Sequence, residues 1–133
     1  MSKLRVLIAE DHQEMRCLLI RLLQKKFEII GAVKDGKDLL DAAILLHPDV
    51  IVSDVSMPRL TGPQVMQALY EQGQCIPFVF ATTEPGLILQ DAWPVVDKLD
   101  AHSELIPAVE AVAKGKKFVS RRACSQGDSN PLI

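Results

Sequence analysis

Several kinds of feature are scarce or missing in this sequence, and each absence narrows what the chain can be. Its cysteines, Cys17, Cys75 and Cys124, are odd in number and far apart, with no C-x-x-C pair. That argues against a disulfide framework or a cysteine zinc site and for reduced thiols. Neither charge sign is in excess: 15 basic residues against 17 acidic ones leave a formal charge of −2. The chain as a whole therefore has no electrostatic case for binding nucleic acid or a membrane. No apolar run is long enough to cross a bilayer, and the opening MSKLRVLIAEDH turns acidic too soon for a signal peptide. Neither G-x-x-x-x-G-K-[ST] nor G-x-G-x-x-G occurs, so no nucleotide cradle is visible. No internal repeat or low-complexity segment appears. The remainder is 133 residues, 48% apolar and 24% charged, an ordinary mixture for one soluble domain with a proper core. A cytoplasmic setting is expected.

Short apolar runs alternate with helical patterns along the chain. Leu4 to Ala9 reads as a strand, and Met15, Leu18, Leu19, Leu22 and Leu23 fall on one helical face. Phe27 to Val33 is a second strand, weakened by Gly31. Leu39, Leu40, Ala43 and Leu46 mark a second helix that ends at His47-Pro48, because a residue preceding proline disfavours the helical conformation. Val50-Ile51-Val52 opens a third strand, β-branched enough to be buried on both faces. A helix from about Gly62 to Gln72 follows, then a strand Ile76 to Ala81 and a short one at Val95-Val96. The last helix carries Leu105, Val109, Val112 and Ala113, and Pro107 within it predicts a start near Ser103. This alternation predicts an α/β fold, a doubly wound, five-stranded parallel sheet in the order 2-1-3-4-5. Between Ala81 and Val95 the chain is at the lower limit for a crossover, and Pro85, Gly86 and Pro94 use part of it, so the fourth helix should be short or irregular. The polar residues 121–133 read as a tail or linker stump after a domain over 1–120.

Chemistry gathers at the carboxyl ends of these strands. Glu10-Asp11, Asp54, Thr82 and Lys98 end strands one, three, four and five. With strands one and three adjacent, Glu10, Asp11 and Asp54 would share a small space and raise one another's pKa, a penalty that a divalent cation removes. Hard oxygen ligands with open positions suit Mg²⁺. Metal, the Lys98 ammonium and the Thr82 hydroxyl around one carboxylate make an electrostatic clamp for a transferring phosphoryl group. Asp54 would be its nucleophile. The bland alternatives are that Asp54 caps a loop, that Glu10-Asp11 cap the first helix, and that Lys98 is a solvated surface residue. His12 is expected to be a surface residue beside the pocket, and Arg121-Arg122 are too few charges for a nucleic-acid site.

LIAEDH, SDVSMPRLTG, FVFATT and VVDK, in that order and each at a strand end, resemble the receiver domain of two-component response regulators. VKDG, HPDVIVSD and the last helix followed by GKKFVS resemble in particular the regulators with a helix-turn-helix output domain, over residues 3–120. The resemblance implies that Asp54 accepts phosphate from a histidine kinase or phosphotransfer protein. It implies Mg²⁺ on Asp11, Asp54 and the Ser56 backbone carbonyl, with Glu10 acting mainly through water, and Lys98 and Thr82 on the phosphoryl group. It further implies homodimerisation on phosphorylation and no metabolic turnover beyond self-catalysed phosphoryl transfer and autodephosphorylation. Two departures stand out. Val95 occupies the position, three before Lys98, where the family usually has a switching aromatic, and the fourth-helix segment is shorter than the family norm. An intact site with altered transmission is the expectation. The rivals are a degenerate receiver acting as a phosphorylation-independent interaction module, and a small Mg²⁺-dependent phosphatase or flavodoxin-like binder. Against the latter, the residue two on from Asp54 is Ser56, so there is no D-x-D pair.

Overall fold

The computed structural model describes residues 3–83 and 94–115. The strands are β1 (Arg5–Ala9), β2 (Glu28–Val33), β3 (Val50–Asp54), β4 (Phe78–Thr82) and β5 (Val95–Asp97). The helices are α1 (Gln13–Leu23), α2 (Gly36–Leu46), α3 (Gly62–Glu71) and α4 (Ala101–Ala113), the last preceded by a 3-10 turn over Lys98–Asp100. The five strands pair in parallel in the order β2-β1-β3-β4-β5, as the alternation predicts. The expected short or irregular fourth helix and the tail at 121–133 both lie outside the described residues.

Strand pleating divides the core in two, because successive side chains point to opposite faces. Val6, Ile8, Val50, Val52, Val79 and Val96 pack with Leu19 and Leu23 of α1 and Leu105 and Val109 of α4. Leu7, Ile51, Phe78, Phe80 and Val95 pack on the other face with Leu39 of α2 and Val65 and Leu69 of α3. Every residue of β3 and of β4 is buried, consistent with a sheet covered on both sides.

Local chemistry sets where the elements begin and end. Asp35 caps α2 by accepting from the Asp38 N–H at 2.8 Å, and His47 closes that helix in the left-handed region at φ 50°. The Arg5 guanidinium then donates to the Leu46 and His47 carbonyls at 2.9 and 2.7 Å, placing positive charge at a helix carboxyl end. Thr61 and Gln64 form a reciprocal capping box at the start of α3. Two boundaries differ from the sequence-based expectation. β4 starts at Phe78 rather than Ile76, since Pro77 has no N–H to donate and contributes only its carbonyl, to Ile51 N–H at 2.9 Å. α4 starts at Ala101 rather than near Ser103, which leaves Pro107 in its interior. Burial of Ala101, Leu105, Ala108, Val109 and Val112 along one face outweighs the hydrogen bond that the proline forfeits.

Candidate phosphoacceptor site

Buried polar side chains collect at the carboxyl edge of the sheet. Among the described residues Glu10, Ser53, Asp54, Thr82, Asp97 and Glu104 are the buried polar or charged ones, and all but Glu104 lie at strand ends along this edge. Burying such groups is costly unless they are paired, so their concentration marks an assembled site.

Register explains how separate segments converge. Ala9 pairs with Ser53, which sets Glu10 level with Asp54. Asp54 pairs with Ala81, which places Thr82 one residue beyond, and Thr82 in turn pairs with Asp97. Lys98 follows immediately and reaches back: its Nζ is 3.1 Å from Asp54 Oδ2 and 2.9 Å from Glu10 Oε1. Both carboxylates are thus held by one ammonium, which is itself only 8% exposed. The solvated-lysine alternative is excluded. The other Asp54 oxygen, Oδ1, accepts from the Val55 N–H at 2.7 Å.

Charge and burial oppose one another here. Burial, reinforced by the neighbouring Glu10 carboxylate, pushes Asp54 above its ordinary value of 3.8, against the downward pull of Lys98 and the Val55 N–H. Burial pulls Lys98 down, but the adjoining Glu10 and Asp54 carboxylates more than offset it and hold the ammonium above its ordinary value of 10.5. Lys98 therefore stays charged at neutral pH. Asp54 is a carboxylate whose ionised form is under-stabilised, and such a group accepts a cation or a covalent bond that removes its charge.

Asp11 completes the acid cluster. One ligand atom each from Glu10, Asp11, His12 and Asp54 lie within 4.8 Å of one another. Asp11 Oδ1 is buried and makes no hydrogen bond. An orphaned carboxylate oxygen facing other carboxylates fits the donor set of a hard divalent ion. Ser56 is exposed in the turn that leaves β3.

Four contributions were not anticipated from sequence. His12 is exposed, as expected, yet its Nδ1 lies 3.2 Å from Glu10 Oε2 and 3.3 Å from Asp11 Oδ1. Arg16 Nη1 donates to the Glu10 carbonyl at 2.9 Å and so ties α1 to the site. Asp97 accepts from the Leu99 N–H at 2.8 Å, capping the 3-10 turn that presents Lys98. An acid just before a lysine was the available signal for that cap. Gly62, finally, lets α3 approach the back of the strand: a Cβ there would come within 2.5 Å of the Asp54 carbonyl oxygen and 2.9 Å of Ser53 Oγ. Gly62→Ala should therefore destabilise the protein by about 2 kcal/mol through overpacking, a loss to be read by urea unfolding.

The loop that follows β3 is anchored as well. The Gly36 N–H donates to the Pro58 carbonyl at 3.1 Å, and Arg59, in the left-handed region at φ 75°, pairs with Asp35 at 3.6 Å. Val95, at the family's aromatic position, is a core residue only 2% exposed.

Comparison with known proteins agrees with this arrangement. Residues 6–89 match the family model described as the response regulator receiver domain. The chain is 38% identical to a protein-glutamate methylesterase/protein-glutamine glutaminase of Carboxydothermus hydrogenoformans, over 92% of this chain and 40% of that protein. It is 25% identical to the transcriptional regulatory protein DegU of Brevibacillus brevis, over 89% of this chain and 53% of that one. The chain thus spans about half the length, or less, of these curated relatives. Among solved structures, the signal receiver domain of the response regulator NarL from Mycobacterium tuberculosis superposes with a TM-score of 0.80 at 27% identity, covering 87% of this chain and all of that one. With the acid cluster, the buried lysine and the 2-1-3-4-5 sheet in place, the chain belongs to the response regulator receiver domain family.

Proposed function

We propose that Asp54 accepts a phosphoryl group from the phosphohistidine of a histidine kinase or phosphotransfer protein, with Mg²⁺ held by Glu10, Asp11, Asp54 and the Ser56 carbonyl. The observation that carries the reading is the Lys98 ammonium, 3.1 Å from Asp54 Oδ2 and 2.9 Å from Glu10 Oε1, inside a cluster of carboxylates at a strand edge. A structural cap needs neither a buried lysine nor the orphaned Asp11 oxygen.

In this reading an Asp54 oxygen forms a bond to phosphorus as the donor's P–N bond breaks, and the departing imidazole takes up a proton. Lys98 neutralises charge on the phosphoryl oxygens, and Thr82, at the end of β4, supplies a hydroxyl donor to them. The bound Mg²⁺ supplies positive charge and open coordination positions for phosphoryl oxygens. Val55 N–H orients the carboxylate. The chemistry is self-modification, not metabolic turnover. The setting is the cytoplasm, where such kinases present their phosphohistidine; among the described residues no helix is long and apolar enough to cross a membrane.

The test is the intact mass of the protein after treatment with acetyl phosphate. One added phosphoryl group, formed with Mg²⁺ and absent when divalent ions are chelated, is the expected result; no increment with Mg²⁺ present would sink the reading. Ligand roles are separable too. Glu10 is fully buried with Oε1 on Lys98 and Oε2 on His12, whereas Asp11 Oδ1 makes no hydrogen bond and has the exposed His12 ring 3.3 Å away. Asp11→Ala should therefore weaken Mg²⁺ binding in calorimetry more than Glu10→Gln does, and equal losses would remove the distinction.

One observation favours a variant of this reading. Val95 is sealed in the core and has no ring to turn when Thr82 moves. Phosphorylation would then reach partners, including a second copy of the chain, by a route other than an aromatic switch, or the domain would act as a phosphorylation-independent module. Beryllofluoride with Mg²⁺ should shift backbone NMR resonances of α4 in the first case and leave them unchanged in the second.

A further inference from the structure

The imidazole of His12 has a place in the acid cluster that neither the capping of α1 nor surface solvation accounts for. His12 occupies the amino-terminal cap of α1, where a side chain ordinarily accepts from the first helical N–H groups, yet it makes no such bond. Its ring is turned toward the carboxylates, with Nδ1 3.2 Å from Glu10 Oε2 and 3.3 Å from Asp11 Oδ1. The backbone holds it there, since the His12 N–H also lies 3.3 Å from Glu10 Oε2.

A single ring nitrogen facing two carboxylates serves each only partly, through one shared proton. A proton on Nδ1 would be divided between the two, and the buried Asp11 Oδ1 makes no hydrogen bond even with Nδ1 3.3 Å away. A cation seated among these atoms would serve all of them at once, because one ring nitrogen of His12 and one oxygen each of Glu10, Asp11 and Asp54 lie within 4.8 Å of one another. The ring is 75% exposed, which leaves room for it to adjust to an ion and for its proton to sit on the outward nitrogen.

We propose that His12 is a direct ligand of the divalent ion in this site, and that it biases the site away from Mg²⁺ toward first-row transition ions such as Mn²⁺. The inference rests on the reading of the acid cluster as a metal site. Its chemical basis is ligand type: carboxylate, carbonyl and water accommodate Mg²⁺ and Mn²⁺ alike, whereas a neutral imidazole nitrogen strengthens binding of the transition ions and does little for Mg²⁺. The chain would then take a transition ion for the same phosphoryl chemistry wherever one is available.

Calorimetric titration of the protein and of His12→Gln with MgCl₂ and with MnCl₂, joined to pulsed electron paramagnetic resonance of the Mn²⁺-loaded samples, decides the matter. The parent protein should show ¹⁴N modulation from one coordinated imidazole, and His12→Gln should lack it. The variant should lose about tenfold in Mn²⁺ affinity with its Mg²⁺ affinity within about twofold of the parent. Mn²⁺ binding without ¹⁴N modulation, or equal losses for the two ions, would overturn the assignment of His12 while leaving the metal site intact. Failure of both ions to bind the parent would overturn the metal site itself, and the two failures are distinct. His12 is exposed and makes no capping bond, so the variant is expected to fold, which its circular dichroism verifies.

Discussion

Asp54→Asn should abolish acid-labile phosphate incorporation from acetyl phosphate and Mg²⁺, with labelling falling to background. The amide keeps the shape of the side chain and can still accept from the Val55 N–H, now 2.7 Å from Oδ1, but it is not a nucleophile at phosphorus. Normal labelling of the variant would move the phosphoacceptor elsewhere. The same substitution has a second, opposite signature in stability. Burial and Glu10 raise Asp54 above 3.8 in the folded protein, so the folded state binds this proton more tightly than the unfolded state does. Ionisation of Asp54 therefore costs stability, fully so above its folded pKa and not at all below 3.8. Without divalent ions, Asp54→Asn should accordingly melt at a higher temperature than the parent at neutral pH. The gap should close as the pH is lowered through the raised pKa of Asp54. A variant less stable than the parent at neutral pH would mean that Lys98 over-compensates the carboxylate.

Lys98→Ala carries the other large effect. Removing the ammonium leaves two mutually repelling carboxylates, one fully buried and one 7% exposed, without their shared counter-charge. Breaking a fully buried pair costs about 3–5 kcal/mol; the mouth of this cluster is partly open to water, which discounts the loss to about 2 kcal/mol. Phosphoryl transfer loses its fixed positive donor, and the labelling rate should fall by about 10²–10³. Addition of Mg²⁺ should raise the melting temperature of Lys98→Ala by more than it raises that of the parent, because in the variant the ion replaces a missing charge. Equal increments in the two proteins would show that the metal and Lys98 act on separate oxygens. Urea unfolding, thermal unfolding with and without Mg²⁺, and timed acetyl phosphate labelling measure the three quantities.

These expectations share one physical origin. The site is a buried cluster of charges balanced by a single lysine, so removing either sign has consequences for both folding and chemistry. Its parts are also placed by different devices: strand register for Glu10, Asp54 and Thr82, a capped 3-10 turn for Lys98, and a helix entry for Asp11 and His12.

Much of this was legible in the linear sequence because it depends on local rules. β-Branched runs, helical spacing of leucines and proline punctuation are short-range signals, and they placed all nine described strands and helices to within a few residues. Parallel pairing with right-handed crossovers then left few strand orders, and acids or a lysine at strand ends pointed to one edge. The positions of Pro77 and Pro107 show where local rules fell short. At the first, a missing N–H delayed β4; at the second, burial of a whole helical face carried α4 through a proline. Tertiary structure alone decided which oxygens meet which cations. That Lys98 bridges Glu10 and Asp54, that Gly62 makes room behind the strand, and that His12 turns to the acids instead of capping its helix all depend on segments brought together by the sheet. Pair energies in a buried cluster vary with ångström-scale distance and with burial, and neither quantity is written in the order of the residues.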